Sequence, residues 1–481
     1  RAVMNTTRIK KSYLFIFCIC LITLWFVFFY SNQKKTEYLD LTIVIPEFEH
    51  FDHNVVETIN SIIPFYPDLK ILVISSTVPY PYFKLPGYNS QFVIRKKDPR
   101  KAGYLSDPFY YINTKYMLVI PDGSRIDIGL NELLEKFKQQ SKKVFVLPIS
   151  TVLSSCNLME VDLKKWTLKY FEKKKVESCD SFNRQVALLF ERSAISNFSD
   201  PFLLPFFESF FIQAKVNGLK LHLENTVYIS VGKILHTDSH LNSKHLQHVQ
   251  TLKSNLYKNL GIKYSLNPNG IEAWHGCTKK TQRCFPTVID VPEYLHEKRW
   301  TPPCCLDALR KTARHVFLIF EQANFKYWLE GGSLLGAARY SDIIPWDYDV
   351  DIGIFMDQIK EFPMLSKVWK GQRYIDHDGF VWERAEEGEF IRVQYSEMNH
   401  LHVDIYPFYE RNNVMTKNTW MKNHRQDMEF PSHYVKNLEQ LRFAGALAWV
   451  PNHYKEFLEL KFGKNCIENP QYPFPEKLEH F

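Results

Sequence analysis

Three aspartates at alternate positions constrain the folding of this chain more than any other feature. They lie in the segment Trp346–Ile354, where the residues between and after them are mostly apolar. Successive side chains of an extended strand point to opposite faces. The segment therefore predicts a strand with one buried apolar face and with Asp347, Asp349 and Asp351 together on the other. Three carboxylates this close repel one another unless a cation joins them, so the pattern predicts a metal site.

Magnesium or manganese suits a site in which every ligand is an oxygen atom. An acidic surface turn is the simpler alternative, but the β-branched residues around the aspartates argue against a turn. A calcium-binding EF-hand loop also begins with alternating aspartates. It requires glycine directly after the third aspartate and glutamate at its twelfth position, whereas this chain has Ile352 and Gln358 there. The sequence therefore favours Mg²⁺ or Mn²⁺.

A glycine turn before the aspartates predicts a phosphate-binding element. Apolar residues at helical spacing predict a helix over 306–325, and a short strand over 327–329 follows it. That strand runs into Gly331-Gly332 and then a helical turn or two ending near Arg339. Glycines let a phosphate approach backbone N–H groups where a helix begins, and Arg339 can add a charged contact. A purely structural turn is the alternative for the glycines taken alone.

This order of strand, glycine turn, helix and Asp-x-Asp strand is the layout of the nucleotidyltransferase-like fold. That fold adds a further acid from a later strand. Asp404 occupies such a place, with Val403 and Ile405 on the opposite face. A structural aspartate at a strand end is the alternative. Either Asp351 or Asp404 could act as general base, and the sequence does not choose between them.

Composition bounds the remaining possibilities. A length of 481 residues and a hydrophobic content of 45% indicate a folded protein of two or three domains. The net charge of +7 is modest, and no stripe of Lys and Arg interleaved with aromatic residues predicts a nucleic-acid groove. Nucleic acid is therefore not an expected partner.

An uncharged apolar run over residues 13–30 is just long enough to span a bilayer. The N-terminal flank is the more positive, which predicts a cytosolic tail over residues 1–12 and a lumenal remainder. A cleaved signal peptide is the alternative, but the run is long and bulky and no small-residue cleavage site follows it. We expect a type II signal anchor, with a short linker over residues 31–40.

Residues 41–260 are predicted to form an α/β domain that ends in a connecting segment. Short apolar runs alternate with helical patterns over 54–63 and 130–139. The order resembles the nucleotide-sugar half of GT-A glycosyltransferases, in which an Asp-x-Asp pair holds the metal. Only Asp122 stands at the matching place, so the domain is predicted to be a non-catalytic stem. The predicted strands are Leu41–Ile45, Leu69–Ile74, Phe92–Ile94, Tyr116–Ile120, Val144–Leu147 and Val186–Phe190.

The cysteines fit a lumenal address, where disulfides persist. Cys156 and Cys179 are expected to form a disulfide within the stem, and Asn197 begins a weak glycosylation signal. Four further cysteines frame an insertion over residues 277–305. They could hold a structural Zn²⁺ tetrahedrally or form two disulfides, and spacing alone leaves both open. These four are Cys277, Cys284, Cys304 and Cys305.

Long motifs in the C-terminal half resemble those of the fukutin-related protein family. They are YWLEGGSLLGAAR, IIPWDYDVDIGI, RVQYSEMNHLHVDIYPFY, HRQDMEFP, and FLELKFG followed by IENPQYP, with RWTPPCCL upstream in the same match. The resemblance extends through most of residues 274–473 and more loosely over the stem and anchor. The family is also similar to bacterial phosphocholine transferases.

The resemblance implies a Golgi type II transferase that takes ribitol 5-phosphate from CDP-ribitol and releases CMP. The acceptor it implies is the ribitol phosphate already on the O-mannosyl glycan of α-dystroglycan. It further implies that the four cysteines bind Zn²⁺ and that the three aspartates bind Mg²⁺. An anchored enzyme with a separate stem is also expected to self-associate. The family's CDP-ribitol contacts fall on Gly332, Arg339, Trp346, Asp347, Tyr348, Asp349, Val350, Asp351, Gln426, Asp427, Asn469, Pro470 and Gln471.

The expected fold class is therefore α/β and α+β, in three parts. These are an N-terminal transmembrane anchor, a GT-A-like stem domain, and a nucleotidyltransferase-like catalytic domain over residues 261–481 with a four-cysteine zinc insertion. Two other functions remain as alternatives. One is a nucleotidyltransferase that passes a nucleoside monophosphate to a sugar phosphate, and the other is a lumenal scaffold or chaperone without catalytic activity.

Overall fold

A computed structural model describes residues 39–140, 144–150, 156–172, 179–283, 285–286, 292–421 and 424–470. The chain divides into two compact units. The first comprises the described parts of Arg1–Leu153, Val186–Ser196 and His222–Leu235. The second comprises the described parts of Ser154–Gln185, Asn197–Leu221 and His236–Phe481.

The strands and helices are numbered here in chain order. The strands are β1 Leu41–Ile45, β2 Lys70–Ser75, β3 Ser90–Ile94, β4 Tyr116–Val119, β5 Ser124–Arg125, β6 Val144–Pro148, β7 Cys156–Asp162, β8 Thr167–Glu172, β9 Ser181–Phe182, β10 Val186–Glu191, β11 Leu221–Leu223, β12 Ser230–Val231, β13 Tyr264–Leu266, β14 Glu272–Trp274, β15 Tyr327–Leu329, β16 Val350–Phe355, β17 Tyr374–Ile375, β18 Val381–Arg384, β19 Ile391–Gln394, β20 His402–Arg411, β21 Val414–Thr416, β22 Phe430–Pro431, β23 Leu438–Phe443 and β24 Ala446–Pro451. The helices are α1 Val55–Asn60, α2 Pro108–Tyr111, α3 Leu130–Gln139, α4 Phe206–Val216, α5 Ser239–Leu260, α6 Glu293–His296, α7 Pro303–Gln322, α8 Gly331–Tyr340, α9 Gln358–Glu361, α10 Pro363–Trp369 and α11 Tyr454–Phe462.

The first unit is built on a mixed sheet in which the order β6-β10-β4-β1-β2-β3 runs across the core. Strands β1 to β4 pair in parallel, and β10 pairs antiparallel with both β4 and β6. The apolar runs are short and continuous because residues of the central strands are buried on both faces. All six strands predicted from those runs are present, with bounds within two residues of the prediction.

Asp122 is buried in this unit and has a structural role. Both of its carboxylate oxygens accept hydrogen bonds from the backbone N–H of Asn54, at 3.1 and 3.0 Å, just before α1 begins. The Gly123 N–H donates a further bond of 2.8 Å. Burial raises the pKa of Asp122 to about 6, against the two backbone hydrogen bonds that lower it. The side chain therefore joins two loops and presents no free carboxylate of the kind that a metal needs.

Replacing Asp122 with asparagine should remove a pH dependence of stability. The folded state holds the proton more tightly than the unfolded chain, so the free energy of unfolding should fall as the pH rises from about 4 to about 6. The expected loss is about 3 kcal/mol. Asparagine keeps an acceptor oxygen for Asn54 and does not titrate. Denaturant unfolding of both proteins at a series of pH values measures the difference, and parallel profiles would contradict the assignment.

The second unit contains a five-stranded sheet in the order β14-β13-β8-β7-β9. A disulfide joins Cys156, the first residue of β7, to Cys179, with 5.4 Å between their Cα atoms. The predicted pairing of these two cysteines is therefore confirmed. The polar segment that follows residue 235 forms α5, whose first turn is capped by the Asp238 carboxylate.

The larger sheet of this unit carries the aspartate motif, and its strand order is β15-β16-β20-β19-β18-β17. Strand β16 is antiparallel to β15 and parallel to β20. Helix α7 begins at Pro303 and packs one apolar face on the core. The buried residues of that face are Leu306, Leu309, Ala313, Val316, Phe317 and Phe320, as the helical spacing predicted.

The aspartate strand begins later than its alternating pattern predicted. Strand β16 starts at Val350, so Asp347 and Asp349 lie in the segment that leads into it. The Asp347 N–H donates to the carbonyl of Ile344 at 2.9 Å, and the Thr301 hydroxyl donates to the Asp347 carbonyl at 2.6 Å. These bonds hold the segment in a turn because its backbone groups find partners outside the sheet.

The fold class needs a correction at its N-terminus. The residues predicted to form a transmembrane anchor, 13–30, lie outside the described residues. Among the helices of the described residues, none is long and apolar enough to cross a membrane. The anchor is therefore without support in the structure, and what the structure shows is a mixed α/β protein of two units.

Candidate active site

The glycine turn places backbone N–H groups beside the aspartates. Strand β15 ends at Leu329, and α8 begins at Gly331, whose φ of +49° favours glycine. A Cβ atom at Gly332 would lie 2.9 Å from Oδ2 of Asp347. The glycines are therefore needed both for the turn and for the close approach of a carboxylate to the beginning of a helix.

The charges of the three aspartates act on one another, although their carboxylate oxygens are not all within 4.8 Å of one another. Burial, and then the charge of Asp349, raises the pKa of Asp347 well above its ordinary value. Burial also raises the pKa of Asp349 and of Asp351, and at Asp351 the neighbouring carboxylates add to the effect. The Asp351 N–H donates to Ser333 Oγ at 2.9 Å, which ties β16 to the first turn of α8. Such a cluster of oxygen donors fits a divalent cation.

Asp404 lies beside Asp351 but already has a cationic partner. The two residues are register partners on the parallel strands β16 and β20. On the other side, Arg392 of β19 is the register partner of Asp404 and binds it in a bidentate pair, with N–O distances of 2.8 and 2.9 Å. Arg392 also donates to Glu387 at 2.6 Å. Both oxygens of Asp404 therefore accept bonds from a guanidinium, unlike those of the three aspartates.

Two buried lysines complete the surroundings of the site. Lys417 pairs with Asp427 at 2.7 Å and lies 3.9 Å from the centre of the Tyr406 ring. Lys461 of α11 pairs with Glu330, the residue directly before the glycine turn. The other oxygen of Glu330 accepts a bond of 3.0 Å from Trp328 Nε1. The turn is therefore held by a buried ion pair.

These groups line a cavity of about 680 Å³ in the second unit. Seven of the predicted site residues are on its wall: Gly332, Tyr348, Asp349, Asp351, Asp404, Gln426 and Asp427. The described wall does not include Arg339, Trp346, Asp347, Val350, Asn469 or Pro470, and Gln471 lies outside the described residues. Arg339 instead donates from Nε to the carbonyl of Cys466 at 2.9 Å.

Several wall residues were not predicted from the sequence. Glu330, Arg392 and Lys461 stand in motifs that carry the family resemblance, but no role was predicted for them or for Lys417. A signal for the position in the site existed only for Arg392. Arg392 lies before His400 in a run in which apolar and polar residues alternate. A hairpin of that length could bring Arg392 opposite Asp404.

The cysteine insertion gathers at least three sulfur atoms. Cys277 and Cys304 form a disulfide, and Cys305 Sγ lies 2.9 Å from Cys277 Sγ. The three Sγ atoms lie within 4.8 Å of one another and are buried, so this cluster could hold a metal ion. Cys284, the fourth predicted ligand, lies outside the described residues.

Comparisons with known proteins match both the N-terminal and the C-terminal half of the chain. The sequence model of the fukutin-related protein stem domain matches residues 30–268, and that of the LicD/FKTN/FKRP nucleotidyltransferase domain matches residues 324–453. Ribitol 5-phosphate transferase FKRP of Homo sapiens is 41% identical over 443 residues, which cover 91% of this chain and 89% of that protein. The protein of the same name from Mus musculus has the same identity and coverage.

Two more distant matches cover smaller parts of the chain. Lipopolysaccharide cholinephosphotransferase LicD of Haemophilus influenzae is 34% identical over 76 residues, 16% of this chain and 25% of its own. A solved lincosamide antibiotic adenylyltransferase, LnuA bound to lincomycin, is 14% identical with a TM-score of 0.23. It covers 35% of this chain and 92% of its own length.

The glycine turn, the aspartate cluster and the matching domain define the class as a transferase with a nucleotidyltransferase-type catalytic domain. The 41% identity to ribitol 5-phosphate transferase FKRP, over 91% of this chain, narrows this class to one family. The chain belongs to the fukutin-related protein family.

Proposed function

We propose that this enzyme transfers ribitol 5-phosphate from CDP-ribitol to a ribitol-phosphate-bearing O-mannosyl glycan, that of α-dystroglycan, and releases CMP. The observation that carries the proposal is a group of three aspartates beside a glycine turn, none of which forms an ion pair with another side chain among the described residues. Asp349 and Asp351 are on the wall of the cavity. Such a cluster suits a substrate that arrives with a divalent cation and a diphosphate. The ribitol 5-phosphate named for the relatives supports the choice of transferred group.

Magnesium or manganese fits this donor set because the candidate ligands are all carboxylate oxygens. Asp347, Asp349 and Asp351 would hold the ion. When bound, it would supply Lewis-acid stabilisation of the charge that develops on the leaving CMP. Without a cation, burial raises the pKa values of all three carboxylates, and the charge of neighbouring carboxylates adds to this at Asp347 and Asp351.

The residues of the chain have separate tasks in this reaction. The N–H groups at the beginning of α8 bind oxygens of the donor diphosphate, which the helix N-terminus favours. An acceptor hydroxyl oxygen attacks the ribitol-side phosphorus, the bond from that phosphorus to the CMP oxygen breaks, and the hydroxyl proton passes to a carboxylate. Arg339 holds the carbonyl of Cys466 and thereby positions the segment that contains Asn469.

We assign the proton to Asp351 rather than Asp404. Both oxygens of Asp404 are already engaged in hydrogen bonds from Arg392. Asp351 lies on the neighbouring strand and has no such guanidinium partner among the described residues. Asp404 then acts as a positioning residue for Arg392.

Product analysis tests the proposal against a nucleotidyltransferase. The full chain is supplied with CDP-ribitol, Mg²⁺ and a ribitol-phosphate acceptor, or with CTP and ribitol 5-phosphate. Acceptor-dependent CMP supports the proposal. Pyrophosphate from CTP with no CMP from CDP-ribitol would replace it with the nucleotidyltransferase.

We also propose that the insertion binds zinc in the Golgi lumen when its cysteines are reduced. Cys277, Cys304 and Cys305 bring three buried sulfur atoms together, and Cys284 would supply the fourth ligand of a tetrahedral site. Replacing the buried Cys305 with serine should then abolish bound zinc and lower the thermal midpoint by several degrees. Metal analysis of both proteins measures this. A wild-type chain that contains no zinc, and whose cysteines prove to be disulfides in a titration of free thiols, would contradict the zinc site.

A further inference from the structure

The cations on the cavity wall are nearly all neutralised by a neighbouring carboxylate. Arg392 pairs with Asp404 and Glu387, Lys417 with Asp427, and Lys461 with Glu330. Arg283 also lines the cavity, and within the described part of the chain it makes no ion pair. Among the described residues of the wall, Arg283 is thus a cation without an ion-pair partner.

Arg283 shares the cavity wall with Arg392, and the two positive charges repel each other. Its guanidinium lies 5.3 Å from the centre of the Phe285 ring. Burial, and then the charge of Arg392, lowers the pKa of Arg283. A half-buried arginine beside another arginine is costly unless an anion binds there.

The sheet separates this place from the diphosphate-binding end of the cavity. The strand order β15-β16-β20-β19 sets the glycine turn, Asp351, Asp404 and Arg392 in one row. Neighbouring strands lie about 4.8 Å apart, so the Arg392 position lies roughly 10 Å from the Asp351 position. A group bound at Arg283 and Arg392 is therefore too far from the glycine turn to belong to the same diphosphate.

We infer that Arg283, supported by Arg392, binds the phosphate of the acceptor. This inference rests on the proposed function, and it explains how the enzyme recognises its acceptor. A phosphate at this end leaves a gap of a few bonds to the reacting centre, which the polyol of a ribitol phosphate spans. The enzyme would then recognise an acceptor that already carries a phosphate, and the hydroxyl of its ribitol would be presented to Asp351.

The acceptor Michaelis constant tests this inference. Two synthetic acceptors are compared, one with the natural phosphate and one with a neutral methylphosphonate in its place. For the wild type, the neutral acceptor should have a KM about 10- to 100-fold higher, the worth of a charge-assisted contact. Arg283→Gln should raise the KM of the phosphate acceptor by a similar factor and lose the discrimination, and Arg283→Lys should restore part of it. The KM for CDP-ribitol should not change.

Lys280→Gln provides the matched control, since it removes an equal charge from an exposed neighbour that is not on the wall. It should behave as the wild type. The inference is overturned if Arg283→Gln weakens donor binding alone. It is also overturned if the wild type does not distinguish the two acceptors, and this second test does not depend on the folding of any variant.

Failure of the proposed function is recognisable separately. A wild-type chain that releases no CMP from CDP-ribitol refutes the proposed function, whereas normal CMP release with unchanged acceptor discrimination in Arg283→Gln refutes only this inference. Binding of glycerol phosphate to the wild type and to Arg283→Gln, measured by calorimetry, tests the anion site without turnover. Equal binding would contradict it.

Discussion

Replacing Asp349 with asparagine should lower divalent-dependent CMP release by at least about 1,000-fold, because the chain loses a charged ligand of its cation site. Asparagine has nearly the same shape. It also removes one of the like charges that raise the pKa values of Asp347 and Asp351. The thermal midpoint without added metal should therefore stay equal or rise. Activity and stability measured on the same preparation test both parts.

Asp307→Asn is the matched control for that variant. Asp307 is 41% exposed on α7 and pairs with Lys311, an exposed pair of little energetic value. It should retain wild-type activity. If a folded Asp349→Asn chain still supported glycan assembly, the catalytic assignment would fail and a non-catalytic scaffold would explain the chain better.

Replacing Gly353 with alanine should destabilise the second unit by about 3 kcal/mol, through overpacking. Gly353 and Trp328 are register partners on β16 and β15. A Cβ atom at Gly353 would lie 2.3 Å from the Trp328 ring, which is fully buried. The ring cannot move aside without breaking its hydrogen bond to Glu330, which precedes the glycine turn. Denaturant unfolding and CMP release should therefore both be impaired.

Gly103→Ala is the control for the glycine substitution. Its φ is not positive and no atom lies within 4 Å of the added Cβ, so stability should change little. An unchanged free energy of unfolding for Gly353→Ala would contradict the packing of the tryptophan over the aspartate strand.

Sequence patterns predicted those parts of the fold that depend on local burial. The strands of the first unit and helix α7 follow from apolar runs and helical spacing, because each is decided by neighbours a few residues away. The start of β16 was predicted too early. A local turn from Ile344 and a bond from the distant Thr301 hold Asp347 outside the strand, and the alternation of residue types shows neither.

The candidate site shows the same division. The aspartates and the glycine turn stand out because their spacing and charge imply a cation and a phosphate. Arg339 looked like a phosphate ligand, but the structure turns it toward the carbonyl of Cys466. The pairing of Arg392 with Asp404 depends on the register of β19 against β20, which the sequence does not state. Which charges remain without a partner is therefore known only from the three-dimensional arrangement.

Binding of CDP-ribitol to the wild-type chain, measured by calorimetry with Mg²⁺ and again with a chelator, examines the aspartate cluster most directly. If the carboxylates and the donor share one ion, the ion must strengthen the binding of CDP-ribitol, and CDP-ribitol must strengthen the binding of the ion. We expect tight binding with Mg²⁺ and a loss of at least about 100-fold in the chelator. Equal affinity under both conditions would show that the diphosphate is held without the aspartate-bound ion.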